Sequence, residues 1–352
     1  MEKKSNLFNL LFFIYFFKVF NIIFFKIPLS AKIIFMISQN SNYQTNINEP
    51  QLAKSKNSNK AKQFFIDFYK KNIAISLYQI TLMGILLGIY LVVRVVAKFT
   101  ILRIVPLEIP FIFYIMYGVI LGGFRGLFLA IISDTFGLLV TGSIGTWYYL
   151  YAMVPPAIAI VSWLYYLAIN KNKIFGTILT YVFFILCVLI IYYVFTSHND
   201  PNSKQIQLNA SKKNPVYVAN GLFIGILSSY SLVSLSILIT FTILYFKHQS
   251  KRWYNYILMF GLVSLIMMIF RWSLDPLLYI RYYNYINSAA ILDKSIALKS
   301  VGTDYAVVAI PIIIKSLFTI PIYITISTPI TVAIEELNHR YQKLNSNPLY
   351  TW

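Results

Sequence analysis

Eight continuous apolar runs, at 73–93, 107–121, 127–140, 147–169, 174–195, 221–246, 254–280 and 305–334, are separated by short polar segments. Inside a bilayer no water satisfies backbone N–H and C=O groups. A run that crosses must bond to itself as a helix or close into a barrel. These runs do not alternate apolar with polar, and they are longer than the roughly 9–11 residues of a barrel strand. About 20 helical residues cross about 30 Å of hydrocarbon. The fold class is therefore all-α: a polytopic transmembrane helical bundle of about eight spans, plus an amino-terminal hydrophobic segment. The runs at 107–121 and 127–140 are short, and only Gly122-Gly123-Phe124-Arg125-Gly126 and the residues around it separate them, so they read as a tight helical hairpin. Pro110, Pro276 and Pro321 fall within or beside runs, where neighbours must satisfy the carbonyls they free.

Composition agrees. Of 352 residues, 58% are hydrophobic and 12% charged, whereas soluble domains carry about 25% charged residues. The 30 Lys+Arg against 11 Asp+Glu leave a formal charge of +19. In a soluble chain that balance would suggest nucleic acid. No nucleic-acid motif accompanies it, and the basic residues lie mostly between runs. There they set topology and meet anionic lipid, so no nucleic-acid partner is expected. With 62–71 inside the cell, alternation puts Arg125, Lys171, Lys173, Lys247, Lys251, Arg252 and the basic segment 339–343 inside as well. The expected location is the plasma membrane.

The domain reading has four parts. Residues 1–38 form a hydrophobic segment interrupted by Lys18, Lys26, Pro28 and Lys32. It shows no clear small-residue cleavage site and reads as an interfacial segment. Residues 39–71 are a polar, basic linker, 72–335 the multi-pass domain, and 336–352 a cytoplasmic tail.

Enzyme signatures are missing. There is no His-Glu-x-x-His, no Gly-x-Ser-x-Gly, no Walker loop and no dinucleotide fingerprint. His198, His248 and His339 all sit in polar connections. The lone Cys187 rules out an intramolecular disulfide and a multi-cysteine metal site. The chain is expected to be a non-enzyme that uses no cofactor or metal.

Charged residues inside apolar runs are costly and point to function by default. Asp134, Arg271 and Lys315 are such residues. Each also has a plainer reading. Asp134 would brace helices by bonding to hydroxyls or an Arg, and Arg271 with Asp275 would form an i, i+4 pair. Trp147 and Tyr148 open a run as an interfacial aromatic belt or as a stacking wall for a flat ligand. Gly84 with Gly88, and Gly118 with Gly122 and Gly126, repeat a four-residue spacing that lets helices approach closely, within this chain or across to another.

Taken together, Gly84 to Arg94, the hairpin Gly118-Val119-Ile120-Leu121-Gly122-Gly123-Phe124-Arg125-Gly126, and Ser133-Asp134-Thr135-Phe136-Gly137 resemble the core of the S components of energy-coupling factor (ECF) transporters. Lys315 to Tyr323, with Pro321, is similar to the last helix of the folate-type branch. The likeness covers roughly 73–170 and 305–325; the family usually has six helices, and 174–304 has no counterpart in it. The resemblance implies a substrate-binding subunit that captures a vitamin or related micronutrient, folate-like among others, at the outer face. It implies delivery through a scaffold (T) subunit carrying two ABC ATPases, which fits a chain without its own ATPase motif. It places Asp134, Trp147, Tyr148, Arg271 and Lys315 at the substrate and Gly84 and Gly88 at the partner interface. Two alternatives stand beside it: a stand-alone secondary transporter that couples ions through the intramembrane charges, and a multi-pass membrane enzyme or assembly factor.

Overall fold

A computed structural model describes residues 77–99, 108–170, 172–197, 205–207, 217–287 and 298–345. The amino-terminal hydrophobic segment, the whole of the basic linker and His198 lie outside these residues. The chain divides into two units, 1–80 and 81–352; the described part of the first is 77–80, the opening turn of helix α1.

The helices follow the apolar runs. They are α1 (Leu77–Phe99), α2 (Pro110–Leu121), α3 (Gly123–Val140), a short α4 (Tyr149–Ala152), α5 (Val154–Asn170), α6 (Lys173–Ser197) and α7 (Asn220–His248). Then come α8 (Lys251–Ile266), a π-helical stretch (Met267–Leu274), α9 (Asp275–Ile286) and α10 (Val301–Asn345). The π-helical stretch joins α8 and α9 into one continuous span. A two-stranded antiparallel ladder, β1 (Gln205–Gln207) with β2 (Tyr217–Ala219), pairs Gln205 with Ala219 in the connection before α7. The class is all-α, and the protein is a multi-pass helical membrane protein.

Among the described residues, seven segments are long and apolar enough to cross a bilayer. The eighth expected span, α2, has 12 residues, about 18 Å of helix, which cannot cross alone. It is sheltered instead: Phe111 to Val119 are all buried, against α3, α5 and α10. Pro110 opens α2, where a missing N–H leaves nothing unpaired. Gly122 closes it with φ +83°, a conformation that a side chain would strain. Gly118 lets α5 approach: a Cβ there would stand 2.2 Å from the Ala159 carbonyl oxygen and 2.8 Å from Ser162 Cβ. This part of the glycine spacing is packing within the chain.

The span 251–286 is the centre of the bundle. In its most apolar window 83% of residues are buried, against 11% in α1, which lies at the periphery. Helix α10 runs past the apolar run to Asn345, so part of the expected tail is helical.

Proline gaps are filled from other helices. Pro321 supplies no N–H to the Leu317 carbonyl, and Tyr230 on α7 donates its hydroxyl to that oxygen at 2.8 Å. Pro276 stands four residues after Trp272, whose carbonyl accepts from the Tyr305 hydroxyl at 2.9 Å. Ser273 donates back to Met268 O at 2.9 Å within the π-helical stretch.

Candidate functional site

Two polar clusters lie at opposite ends of the bundle, and the span 251–286 and α10 contribute to both. At the end with the basic turns, Glu335 gathers three donors. Lys251 Nζ stands 2.8 Å from it, Asn255 Nδ2 is 3.4 Å away, and the Tyr166 hydroxyl donates to its other oxygen. The rise from Lys251 to Arg271 is about 30 Å at 1.5 Å per residue, one hydrocarbon thickness. Arg271 therefore lies near the opposite membrane face.

Arg271 is the hub there. Its Nη2 meets Glu108 Oε1 at 2.8 Å, and its Nη1 pairs with Asp275. Its guanidinium lies 5.9 Å from the Phe111 ring centre. Tyr151 donates its hydroxyl to Asp275 Oδ1 at 3.4 Å. Tyr323 donates to the Glu108 carbonyl at 2.5 Å, fixing the backbone at the mouth of α2. The anticipated Arg271–Asp275 pair is present, and it is one part of a network that draws on four elements.

Beside this network is a narrow, closed-down cleft lined by Glu108, Phe111, Met267, Arg271, Lys315, Ser316, Thr319 and Tyr323. Arg271 and Lys315, read from the sequence as intramembrane charges, thus meet at one cleft. Lys315 is exposed and has no carboxylate partner among the described residues. Two cations and an apolar wall can hold a small organic anion.

Tyr148 is buried at the same end, one ring removed. Its ring centre is 6.3 Å from Tyr151 and 5.4 Å from Tyr282 and Tyr285. It reaches the ion network through Tyr151. Trp147 is half exposed and does not line the cleft.

Asp134 is elsewhere. It accepts from the Tyr114 hydroxyl at 2.9 Å, and Tyr114 in turn lies 3.3 Å from the Tyr90 hydroxyl. Gly137 leaves room for Tyr90: a Cβ there would stand 2.8 Å from its hydroxyl. This buried chain joins α1, α2 and α3, and Arg94 lies within electrostatic reach of the carboxylate. Asp134 and the cleft are linked only through α2, where the Phe111 and Tyr114 rings are 6.4 Å apart.

Gly84 and Gly88 face outward on α1, and a Cβ at either meets nothing within 4 Å. Among the described residues they pack against no other helix.

Sequence reasoning missed Glu108, Tyr151, Tyr323 and the cluster at Glu335. Glu108 alone carried a signal: a carboxylate at the edge of an apolar run, the sign needed by an Arg in a later run. Among the described residues no group of three or more His, Cys, Asp or Glu side chains could hold a metal ion. No family model matches the chain, and no curated protein and no solved structure matches it.

Proposed function

We propose that this protein is the substrate-binding S component of an ECF-type importer in the plasma membrane. It takes up a vitamin or related micronutrient through the cleft at Arg271 and delivers it through a scaffold subunit and two ABC ATPases. The observation that carries the reading is the cleft itself. It is lined by Arg271 and Lys315 together with Phe111 and Met267, roughly a membrane thickness from the basic turns. By the positive-inside rule those turns face the cytoplasm, so the cleft faces outward. As it stands the cleft has no room for even a water molecule, far below the roughly 300–1,000 Å³ of pockets for drug-sized ligands, so cargo enters by parting its side chains. For a folate-like cargo it would seat one acidic end. The outward glycines of α1 support docking on a partner subunit, because among the described residues none uses the close approach they allow.

The test is affinity purification from the native membrane in mild detergent, with partners identified by mass spectrometry. The expected result is a scaffold subunit with two ABC ATPases, lost in the double variant Gly84→Leu/Gly88→Leu. Recovery of the chain alone would overturn the proposal. A second reading, a stand-alone secondary transporter, draws on the two polar clusters that the same helices hold at opposite faces. Uptake that collapses with the ion gradient and survives ATPase depletion would favour it.

A further inference from the structure

One member of the Arg271 network is unlike the others. Asp275 stands four residues along the same helix with its side chain 16% exposed, a fixed partner. Glu108 comes from the chain ahead of α2, its side chain is 46% exposed, and it touches Arg271 through a single oxygen. Its backbone is held by Tyr323, so the side chain can swing without moving the chain. Glu108 also lines the cleft with Lys315, Ser316 and Thr319.

We infer, on the cargo-capture reading above, that the Glu108 carboxylate is a resident stand-in for the cargo: a compact organic carboxylate binds by displacing Glu108 from Arg271 Nη2. The charge balance fits. With Glu108 in place, Arg271 and Lys315 are matched by Glu108 and Asp275. With Glu108 turned to water, the cleft carries one unmatched positive charge, which suits a monoanion. The freed guanidinium edge presents a planar donor, and Lys315 stands beside the cleft to take a second oxygen. Phe111 and Met267 supply an apolar wall for the rest of a small ring. The substrate class is therefore a carboxylate on a compact apolar or aromatic body. A neutral or cationic cargo gains nothing from removing Glu108.

The test uses the full chain in lipid nanodiscs and two probes of one shape and different charge, benzoate and benzamide, with binding measured by titration calorimetry. Wild type should prefer benzoate. Glu108→Gln should tighten benzoate about tenfold, because no internal competitor reduces the competent fraction, and should leave benzamide unchanged. Arg271→Gln should erase the preference. Glu108→Asp, which keeps the charge and shortens its reach, should also tighten benzoate and serves if the glutamine variant does not fold. Benzoate affinity unchanged or weakened in a folded Glu108 variant overturns the inference, as does wild type that binds benzoate no better than benzamide. Neither outcome depends on which partners co-purify, so this inference and the importer proposal fail separately.

Discussion

Tyr230 donates its hydroxyl to the carbonyl of Leu317, 2.8 Å away on another helix. Leu317 stands four residues before Pro321, which cannot supply the usual N–H. The tyrosine replaces a hydrogen bond that the helix cannot make. Tyr230→Phe should therefore cost about 1–3 kcal/mol by leaving a buried acceptor unpaired. In a Pro321→Ala background the cost should shrink, because alanine restores the donor. Unfolding in detergent, read as a double-mutant cycle, checks the coupling.

The glycines of α1 and α2 should respond oppositely to alanine. Gly118→Ala forces a Cβ to within 2.2 Å of the Ala159 carbonyl oxygen and should destabilise by about 1–3 kcal/mol. Gly84→Ala and Gly88→Ala meet open space and should be neutral or gain up to about 1 kcal/mol of helix propensity. Melting temperatures of the purified variants in one detergent compare them directly.

Removing one partner of a buried ion pair strands the other. Arg271→Ala should cost about 3–5 kcal/mol, by leaving Asp275 and Glu108 without their cation. The double variant Arg271→Ala/Asp275→Ala should be less damaged than the single one. Equal stability of the two would refute the pairing as a structural element.

At the other end the contributions divide unequally. The Lys251 side chain is 65% exposed, so Lys251→Ala should cost no more than about 1 kcal/mol. Glu335→Ala strands the buried Asn255 amide and should cost about twice as much or more.

Cys187 is buried on α6, with Sγ 3.5 Å from the Ser264 carbonyl. A maleimide should not label it in the folded protein and should label it fully on unfolding. With Cys187→Ser as background, cysteines placed at Gly142 and Asn172 should label from opposite sides of the membrane. Labelling of both from one side would refute the topology.

Apolar runs were enough to locate every long helix among the described residues, because in lipid the run length and the helix length are tied by the same backbone rule. The hairpin at Gly122 was legible too, since only glycine suits a sharp turn between two apolar segments. Helix count was less secure: α2 is as apolar as a span but too short to be one, and its shelter comes from α5 and α10, distant in sequence. The i, i+4 pair of Arg271 and Asp275 could be read from spacing alone. Its third member, Glu108, lies 163 residues from Arg271, and nothing local ties the two. The plainer reading of Asp134, a carboxylate bonded to a hydroxyl, matches its contact with Tyr114. The hydroxyl's identity was hidden because it depends on how α2 lies against α3.

The short spacing of Arg271 and Asp275 also bears on how the chain enters the bilayer. Their helix is made before α10, which later helps enclose it. An arginine within a span opposes insertion, by up to the roughly 2.5–3.5 kcal/mol it costs at the helix centre. A carboxylate one turn away neutralises that charge within the helix itself. The segment can thus leave the translocon as an electrically balanced unit, before α10 is present to help enclose it.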